Sequence, residues 1–137
     1  MTKQEMLDMR KRDIEGLGYI ADMKTKVKVK ASNGSIYDVY HELDDVVNLD
    51  HSVEASKVFG QDTIRPAGIG EVPPAIVEEV SDKLKQLNMD LYNYLQDKYT
   101  EMDNVDTNLS DEEYLQALKA IVWDYPIDNI INYQPSF

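Results

Sequence analysis

The sequence predicts an α+β fold, in which an N-terminal helix and a β-hairpin pack with a long helix and an antiparallel C-terminal helix. Residues 24–30, KTKVKVK, alternate between lysine and small or β-branched side chains, as an amphipathic strand does. Residues 75–102 instead repeat apolar side chains at intervals of three and four, as a helix does. The two periods in one chain indicate a mixed fold.

The length and composition indicate one globular domain over residues 1–137. The chain is 42% hydrophobic and 29% charged, which is typical of a domain with a buried core. Residues 60–74, GQDTIRPAGIGEVPP, hold three of the five prolines and three of the six glycines. We expect this long connection to join a helix and hairpin part, residues 1–59, to a helical part, residues 75–137.

The N-terminal helix begins with a capping box, in which Thr2 caps the helix and Glu5 reaches back to the cap amide. We expect this helix to run from about residue 3 to residue 15 and to end at Gly16 and Gly18. Its apolar stripe is thin, which predicts a peripheral helix, and consists of Met6, Met9 and Ile14.

A β-hairpin follows, with its turn at residues 32–34, Ser-Asn-Gly. A three-residue loop with Gly34 in the left-handed conformation places Lys28 opposite Asp38, and it keeps the apolar side chains on one face. A two-residue turn would mix the faces. In the favoured register, one face holds Lys26, Lys28, Lys30, Asp38 and Tyr40, and the other holds Val27, Val29, Tyr37 and Val39.

The lysine row of the first strand, Lys24, Lys26, Lys28 and Lys30, allows three interpretations. The simplest is a solvent-exposed face, since exposed lysines discourage edge-to-edge aggregation. The row could also neutralise acidic surface of this protein, within the domain or across a dimer, or it could bind phosphate.

Residues 44–59 fit two structures. Asp50 could cap a short helix that runs through Phe59 and ends at Gly60. A third strand around residues 46–49 is the alternative.

The long helix carries a heptad-like stripe with spacings of 3, 4, 3, 4 and 3. At about 1.5 Å per residue, residues 75–102 would span about 42 Å as a helix. Such a stripe can pack against the chain itself or form a homodimer seam. The stripe consists of Val77, Val80, Leu84, Leu87, Leu91 and Tyr94, and the homodimer would use the first five.

The C-terminal helix begins at a second capping box, Ser110 and Glu113, with Leu109 and Tyr114 at the positions of a hydrophobic staple. Pro126 interrupts it. The apolar face consists of Leu115, Leu118, Ile121 and Val122, and a final helical turn is expected around Ile127, Ile130, Ile131 and Tyr133.

The motifs of common catalytic and metal sites are missing or out of context. Without cysteine, thiolate catalysis and Cys-based zinc sites are excluded. The letters GxGxxA at residues 16–21 follow a helix, whereas a dinucleotide site follows a strand. His41 and His51 lack further ligands at metal-binding spacing, and residues 103–113 lack the glycine and final glutamate of a calcium loop. We therefore expect no catalytic centre, cofactor or metal.

The N-terminus lacks the apolar region of a signal peptide, and no apolar run approaches membrane-spanning length. These features predict a soluble cytoplasmic protein.

The charge is −12 and is unevenly placed, because residues 1–30 sum to +3 and residues 31–137 to −15. Residues 90–128 hold ten Asp and Glu against only Lys98 and Lys119. A rigid array of carboxylates can imitate a phosphate backbone on a basic protein. The residues expected to bind a partner are Asp97, Glu101, Asp103, Asp106, Asp111 and Glu112, with Tyr92 as an anchor.

The sequence thus favours a non-enzymatic inhibitor of a nucleic-acid-binding enzyme, of the anti-restriction or anti-CRISPR type that mobile elements encode. One alternative is a phage or assembly protein that oligomerises through the long helix. Another is an immunity-type protein that neutralises a basic toxin. Charge reversal separates the first from the second, because it abolishes an inhibitor's binding and leaves a seam-driven oligomer intact.

Overall fold

A computed structural model describes residues 1–127 and 131–132, and its fold is α+β, as the sequence predicts. In chain order, the described elements are α1 (Lys3–Asp13), a π-helical segment (Ile14–Ile20), α2 (Ala21–Met23), β1 (Val27–Lys30), β2 (Ile36–Val39), α3 (Leu43–Phe59), α4 (Pro74–Asp103), α5 (Asp111–Ala120) and β3 (Ile131–Asn132).

The chain forms two compact units whose division does not follow the expected N-terminal and C-terminal parts. Unit 1 contains Met1–Asp22 and Asp90–Tyr125, and unit 2 contains Met23–Met89 and the described residues from Pro126 onward. Helix α4 contributes residues to both units.

The core of unit 1 combines α1, the C-terminal part of α4 and α5. Met6 and Ile14 are buried there, and Met6 is the one buried residue of α1, which the structure describes in full. A thin stripe suffices because both side chains enter one shared cluster, while Met9 stays exposed. The buried cluster consists of Met6, Ile14, Leu95, Met102, Tyr114 and Leu118.

The N-terminal helix has the predicted start but not the predicted end. Thr2 Oγ1 accepts a hydrogen bond from the Glu5 amide at 3.1 Å, and the Thr2 amide donates to Glu5 Oε1 at 3.2 Å. Gly16 and Gly18 do not terminate the helix, because the chain continues through the π-helical segment and α2 as far as Met23. The reason lies in tertiary packing at Gly18, which is described below.

Helix α5 begins as predicted and ends early. Ser110 Oγ accepts from the Glu113 amide at 3.2 Å. The helix ends at Ala120, well before Pro126, and Ile121 is extended, with a φ of −83° and a ψ of 111°. Val122 therefore lies exposed outside the helix rather than on its apolar face.

The hairpin of unit 2 has the predicted register. Val27 pairs with Val39 and Lys28 with Asp38, and Gly34 has a φ of 83°. On the apolar face the three valines are buried and Tyr37 is half-buried, while the four lysines of the row are exposed. Among the described residues, no carboxylate forms an ion pair with any of these lysines.

The third strand is not at residues 46–49, where one alternative predicts it, but at Ile131–Asn132. β3 pairs in parallel with β1, which gives the sheet order β2-β1-β3. Ile131 thus lies in a strand, and the predicted final helical turn is wrong at that position; Ile130 and Tyr133 lie outside the described residues.

Residues 44–59 are helical throughout, so the alternative of a strand at residues 46–49 is wrong, and the predicted helix begins earlier than expected. Helix α3 begins after Glu42, whose amide donates to Asp45 Oδ2 at 3.0 Å in a capping box. Asp50 lies within the helix, and its carboxylate accepts a hydrogen bond from Ser81 at 2.6 Å. The predicted end is confirmed, because Gly60 adopts a φ of 63° after Phe59.

The connection between α3 and α4 is folded back on itself. Ile64 and Val72 exchange two backbone hydrogen bonds of 2.9 Å in an antiparallel bridge. Arg65 and Glu71 form an ion pair of 3.0 Å across it.

Helix α4 matches the predicted long helix to within one residue at each end. Its heptad-like stripe is buried within the chain's own fold, with exposures of 0–5% for Val77, Val80, Leu84, Leu87 and Leu91. These five side chains are the ones that the predicted homodimer would use. No helix of the described residues is long and apolar enough to cross a membrane.

Candidate partner-binding surface

The seven residues predicted to bind a partner all lie in unit 1, and all are exposed. Tyr92, for example, is 53% exposed. They do not form one array, because helical geometry separates those on α4. At about 100° per residue, Asp97 and Glu101 lie on one flank, while Tyr92 and Asp103 lie about 150° away.

Three of the predicted carboxylates serve the fold of unit 1. Asp103 forms an ion pair of 2.7 Å with Lys11. Asp111 lies 3.6 Å from the ammonium of Lys3. Asp106 Oδ1 accepts the amide of Asn108 at 2.9 Å and so stabilises the loop before α5. The negative charge that these residues offer a partner is correspondingly reduced.

The other flank of α4 presents a coherent row of carboxylates. Asp90, Asp97 and Glu101 are separated by seven and four residues and therefore share one face over about 16 Å. We call these three residues the acidic flank. Among the described residues, Asp97 makes neither a hydrogen bond nor an ion pair. Glu101 lies 3.5 Å from Lys98, whose side chain is only 13% exposed.

The basic residues of unit 1 are mostly engaged within the fold. This unit holds 14 Asp and Glu against 6 Lys and Arg, a formal charge of −8. The Arg10 guanidinium donates to the carbonyl oxygens of Leu118 at 3.2 Å and Ile121 at 2.5 Å. Lys3 and Lys11 are in the ion pairs described above. Few cations therefore remain at the surface to offset the carboxylates.

An aromatic cluster supports the acidic flank, and the sequence did not predict it. Trp123 contacts Tyr94 with ring centroids 4.8 Å apart, edge to face, and its Nε1 donates to Asp22 Oδ2 at 2.7 Å. A Cβ added to Gly18 would lie 2.3 Å from Trp123 Cγ, so only glycine allows this ring to approach the helix. A glycine within a helical pattern can indicate such close packing rather than a helix end.

The cluster continues into the acidic flank through Tyr94. The Tyr94 hydroxyl donates to Asp124 Oδ1. The Lys98 ammonium lies 5.0 Å from the centroid of the Tyr94 ring and also contacts Glu101. Burial lowers the pKa of Lys98, but Tyr94 and the nearby carboxylates raise it more, so the pKa ends above its ordinary value. Lys98 therefore stays charged and orients Glu101.

Four tyrosines of unit 1 have a pKa above the ordinary value: Tyr19, Tyr94, Tyr99 and Tyr125. Burial is the main cause that raises the pKa of Tyr19, Tyr94 and Tyr125. Burial, together with a hydrogen bond of 3.0 Å to Glu15, raises the pKa of Tyr99 to about 12. These phenols fix the segments behind the acidic flank without adding charge to it.

The two histidines lie in unit 2. His41 is fully buried just before α3, and His51 is exposed on that helix. Within the described residues, no group of three or more His, Asp or Glu could hold a metal ion.

Comparisons with known proteins do not supply a family. No protein-family model, no curated protein and no solved structure matches this chain.

Proposed function

We propose that this protein is a non-enzymatic inhibitor that binds a basic, nucleic-acid-binding protein through the acidic flank of α4. The flank takes the place of a phosphate backbone, and the inhibitor competes with nucleic acid for one surface. In biological terms, this is the anti-restriction or anti-CRISPR mode of action, encoded by a mobile element.

The charge balance of unit 1 carries the proposal. Its 14 acidic side chains face 6 basic ones, and Lys3, Lys11, Lys98 and Arg10 are bound within the fold. The potential over this surface is therefore strongly negative. Such a surface speeds association with a basic partner and makes binding depend steeply on salt.

The geometry of the acidic flank also favours binding. Asp97 and Glu101 are one helical turn apart, about 6 Å along the axis, and Asp90 is about 10 Å further on. The helix is anchored from behind by Leu91, Leu95 and Met102, all of them buried. Because the carboxylates are held on a rigid helix, binding loses less conformational entropy than with a flexible acidic tail.

A charge-reversal pair tests the proposal against a matched control. D97K/E101K changes the charge of the flank by +4, and D62K/D82K makes the same change at exposed positions of unit 2. The two variants have equal net charge, so a difference between them reports on location. Wild type and both variants are immobilised, exposed to host lysate at low salt and eluted with a salt gradient.

We expect one basic protein to be retained by wild type and by D62K/D82K and to be lost with D97K/E101K. That protein should elute free of nucleic acid. Equal retention by all three proteins would show that the flank is not the binding surface. If both variants retained the basic protein equally weakly, net charge alone, rather than the acidic flank, would explain its binding.

A further inference from the structure

Unit 2 holds a cavity of about 360 Å³ between the hairpin, α3 and the connection that follows α3. Val39 and Leu49 supply buried apolar surface, and Tyr40 presents an aromatic ring. Lys26, Asp38 and Asp45 bring charges of both signs to the same cavity. The volume lies near the lower end of the range for ligand pockets, about 300–1,000 Å³, and so suits a small molecule.

The opposite charges in this cavity are not paired with each other within the described residues. In the described part of the chain, neither Asp38 nor Asp45 forms an ion pair with Lys26. The Lys26 ammonium lies 5.0 Å from the centroid of the Tyr40 ring. Asp45 uses Oδ2 to accept the amide of Glu42, which leaves Oδ1 available. The cavity thus offers an incoming ligand a cation and carboxylate oxygens that, among the described residues, form no ion pair with each other.

A neighbouring cavity provides an internal comparison. It shares Ser52 and Pro66 with the first and also contains both charge signs. There, however, Arg65 and Glu71 pair with each other at 3.0 Å. The second cavity therefore has no separated charges to complement, and the first is the better candidate for a ligand site.

We infer that the first cavity binds a small zwitterion of the α-amino-acid type with an apolar side chain. The ligand carboxylate pairs with Lys26, and its ammonium group pairs with Asp38 or Asp45. The apolar side chain packs on Val39 and Leu49. A simple anion would face the two carboxylates, and a simple cation would face Lys26, so each is less favourable than a molecule that carries both charges.

This site is independent of the acidic flank, because every residue that lines it belongs to unit 2. The two proposals can therefore fail separately.

A titration with two sets of three compounds tests the inference, with amide chemical shifts followed by NMR. Leucine is compared with 3-methylbutylamine, which lacks the carboxylate, and with 4-methylpentanoate, which lacks the amine. Phenylalanine, phenethylamine and 3-phenylpropanoate form a second, larger set. We expect one zwitterion to bind about tenfold more tightly than either of its single-charge analogues, with shifts at the cavity residues.

Lys26→Met should remove the advantage of the zwitterion over the amine. Asp38→Asn should reduce its advantage over the acid. Lys28→Met is the matched control, because Lys28 lies on the same strand face but does not line the cavity. Dispersed amide spectra establish that each variant is folded.

Three outcomes would overturn the inference. The single-charge analogues could bind as tightly as the zwitterions, the shifts could map away from the cavity, or none of the six compounds could shift any amide of wild type. All three are read on wild-type protein alone, so they decide the matter even if a variant fails to fold.

Discussion

Gly16 and Gly18 lie two residues apart in one helical segment, yet they should respond in opposite directions to replacement by alanine. A Cβ at Gly16 would meet no atom within 4 Å, whereas a Cβ at Gly18 would lie 2.3 Å from Trp123 Cγ and 2.6 Å from Cδ2. Neither glycine has a positive φ, so backbone strain does not distinguish them. The comparison isolates the packing of one indole ring.

The magnitudes follow from these contacts. Gly16→Ala should stabilise unit 1 by about 0.5–1 kcal/mol, since alanine restricts the unfolded chain and favours the helix. Gly18→Ala gains the same term but must displace an aromatic ring, and overpacking of this kind costs about 1–3 kcal/mol. Displacement also weakens the edge-to-face contact with Tyr94, by up to about 1 kcal/mol. We expect Gly18→Ala to destabilise unit 1 by about 2 kcal/mol.

Urea unfolding followed by tryptophan fluorescence measures both variants. Trp123 is the only tryptophan, so the signal reports on unit 1 directly. With a slope of about 2 kcal/mol per molar urea, the two midpoints should differ by at least about 1 M. The reasoning is refuted if Gly18→Ala is as stable as wild type, or if both variants shift in the same direction by similar amounts.

Two further predictions concern pH. Asp50 accepts hydrogen bonds from buried Ser81 and from Lys85. Burial raises the pKa of the Asp50 carboxyl, but these two bonds outweigh burial and hold that pKa below its ordinary value of 3.8. Asp50→Ala should therefore lower the free energy of unfolding by about 1–3 kcal/mol at neutral pH, because the Ser81 hydroxyl loses its partner. This difference from wild type should shrink as the pH falls through the pKa of Asp50 in the folded state. Acid titrations of both proteins, followed by circular dichroism, measure the cost and its pH dependence. Tyr99 has its pKa raised to about 12 from an ordinary 10.0, so the folded state holds this proton more tightly and the free energy of unfolding should fall between these pH values. Tyr99→Phe, which also loses the bond to Glu15, should show a smaller fall in alkaline unfolding curves, and an equal fall would contradict the assignment.

The parts of the fold that were predicted correctly depend on local pattern. The hairpin register followed from period-two alternation, because a two-residue turn would have placed Val29 opposite Asp38 and mixed apolar with polar side chains on each face. Helix α4 followed from its apolar stripe, and the starts of α1 and α5 followed from their capping boxes. In each case, a few neighbouring residues fix the structure.

The parts that were missed depend on distant contacts. Gly18 is a typical helix terminator by its local pattern, and only the approach of Trp123, more than a hundred residues later, gives it another role. β3 is two residues long, too short for any periodicity to indicate it. Neither feature has a signal within its own segment.

The candidate partner-binding surface could be predicted from the sequence only in part. The split between the acidic flank and Asp103 follows from about 100° per residue, and the sequence alone could have predicted it. The ion pairs of Asp103 with Lys11 and of Asp111 with Lys3 could not be predicted, because they depend on where α1 packs.

The decisive experiment asks whether the protein displaces nucleic acid from its partner. The captured basic protein is bound to labelled nucleic acid, and wild type, D97K/E101K or D62K/D82K is added at several salt concentrations. The account predicts that wild type and D62K/D82K release the label completely and that D97K/E101K does not, with higher concentrations needed as salt rises. A stable complex that contains inhibitor, partner and nucleic acid together would contradict it, because the acidic flank could not then occupy the surface that binds phosphate.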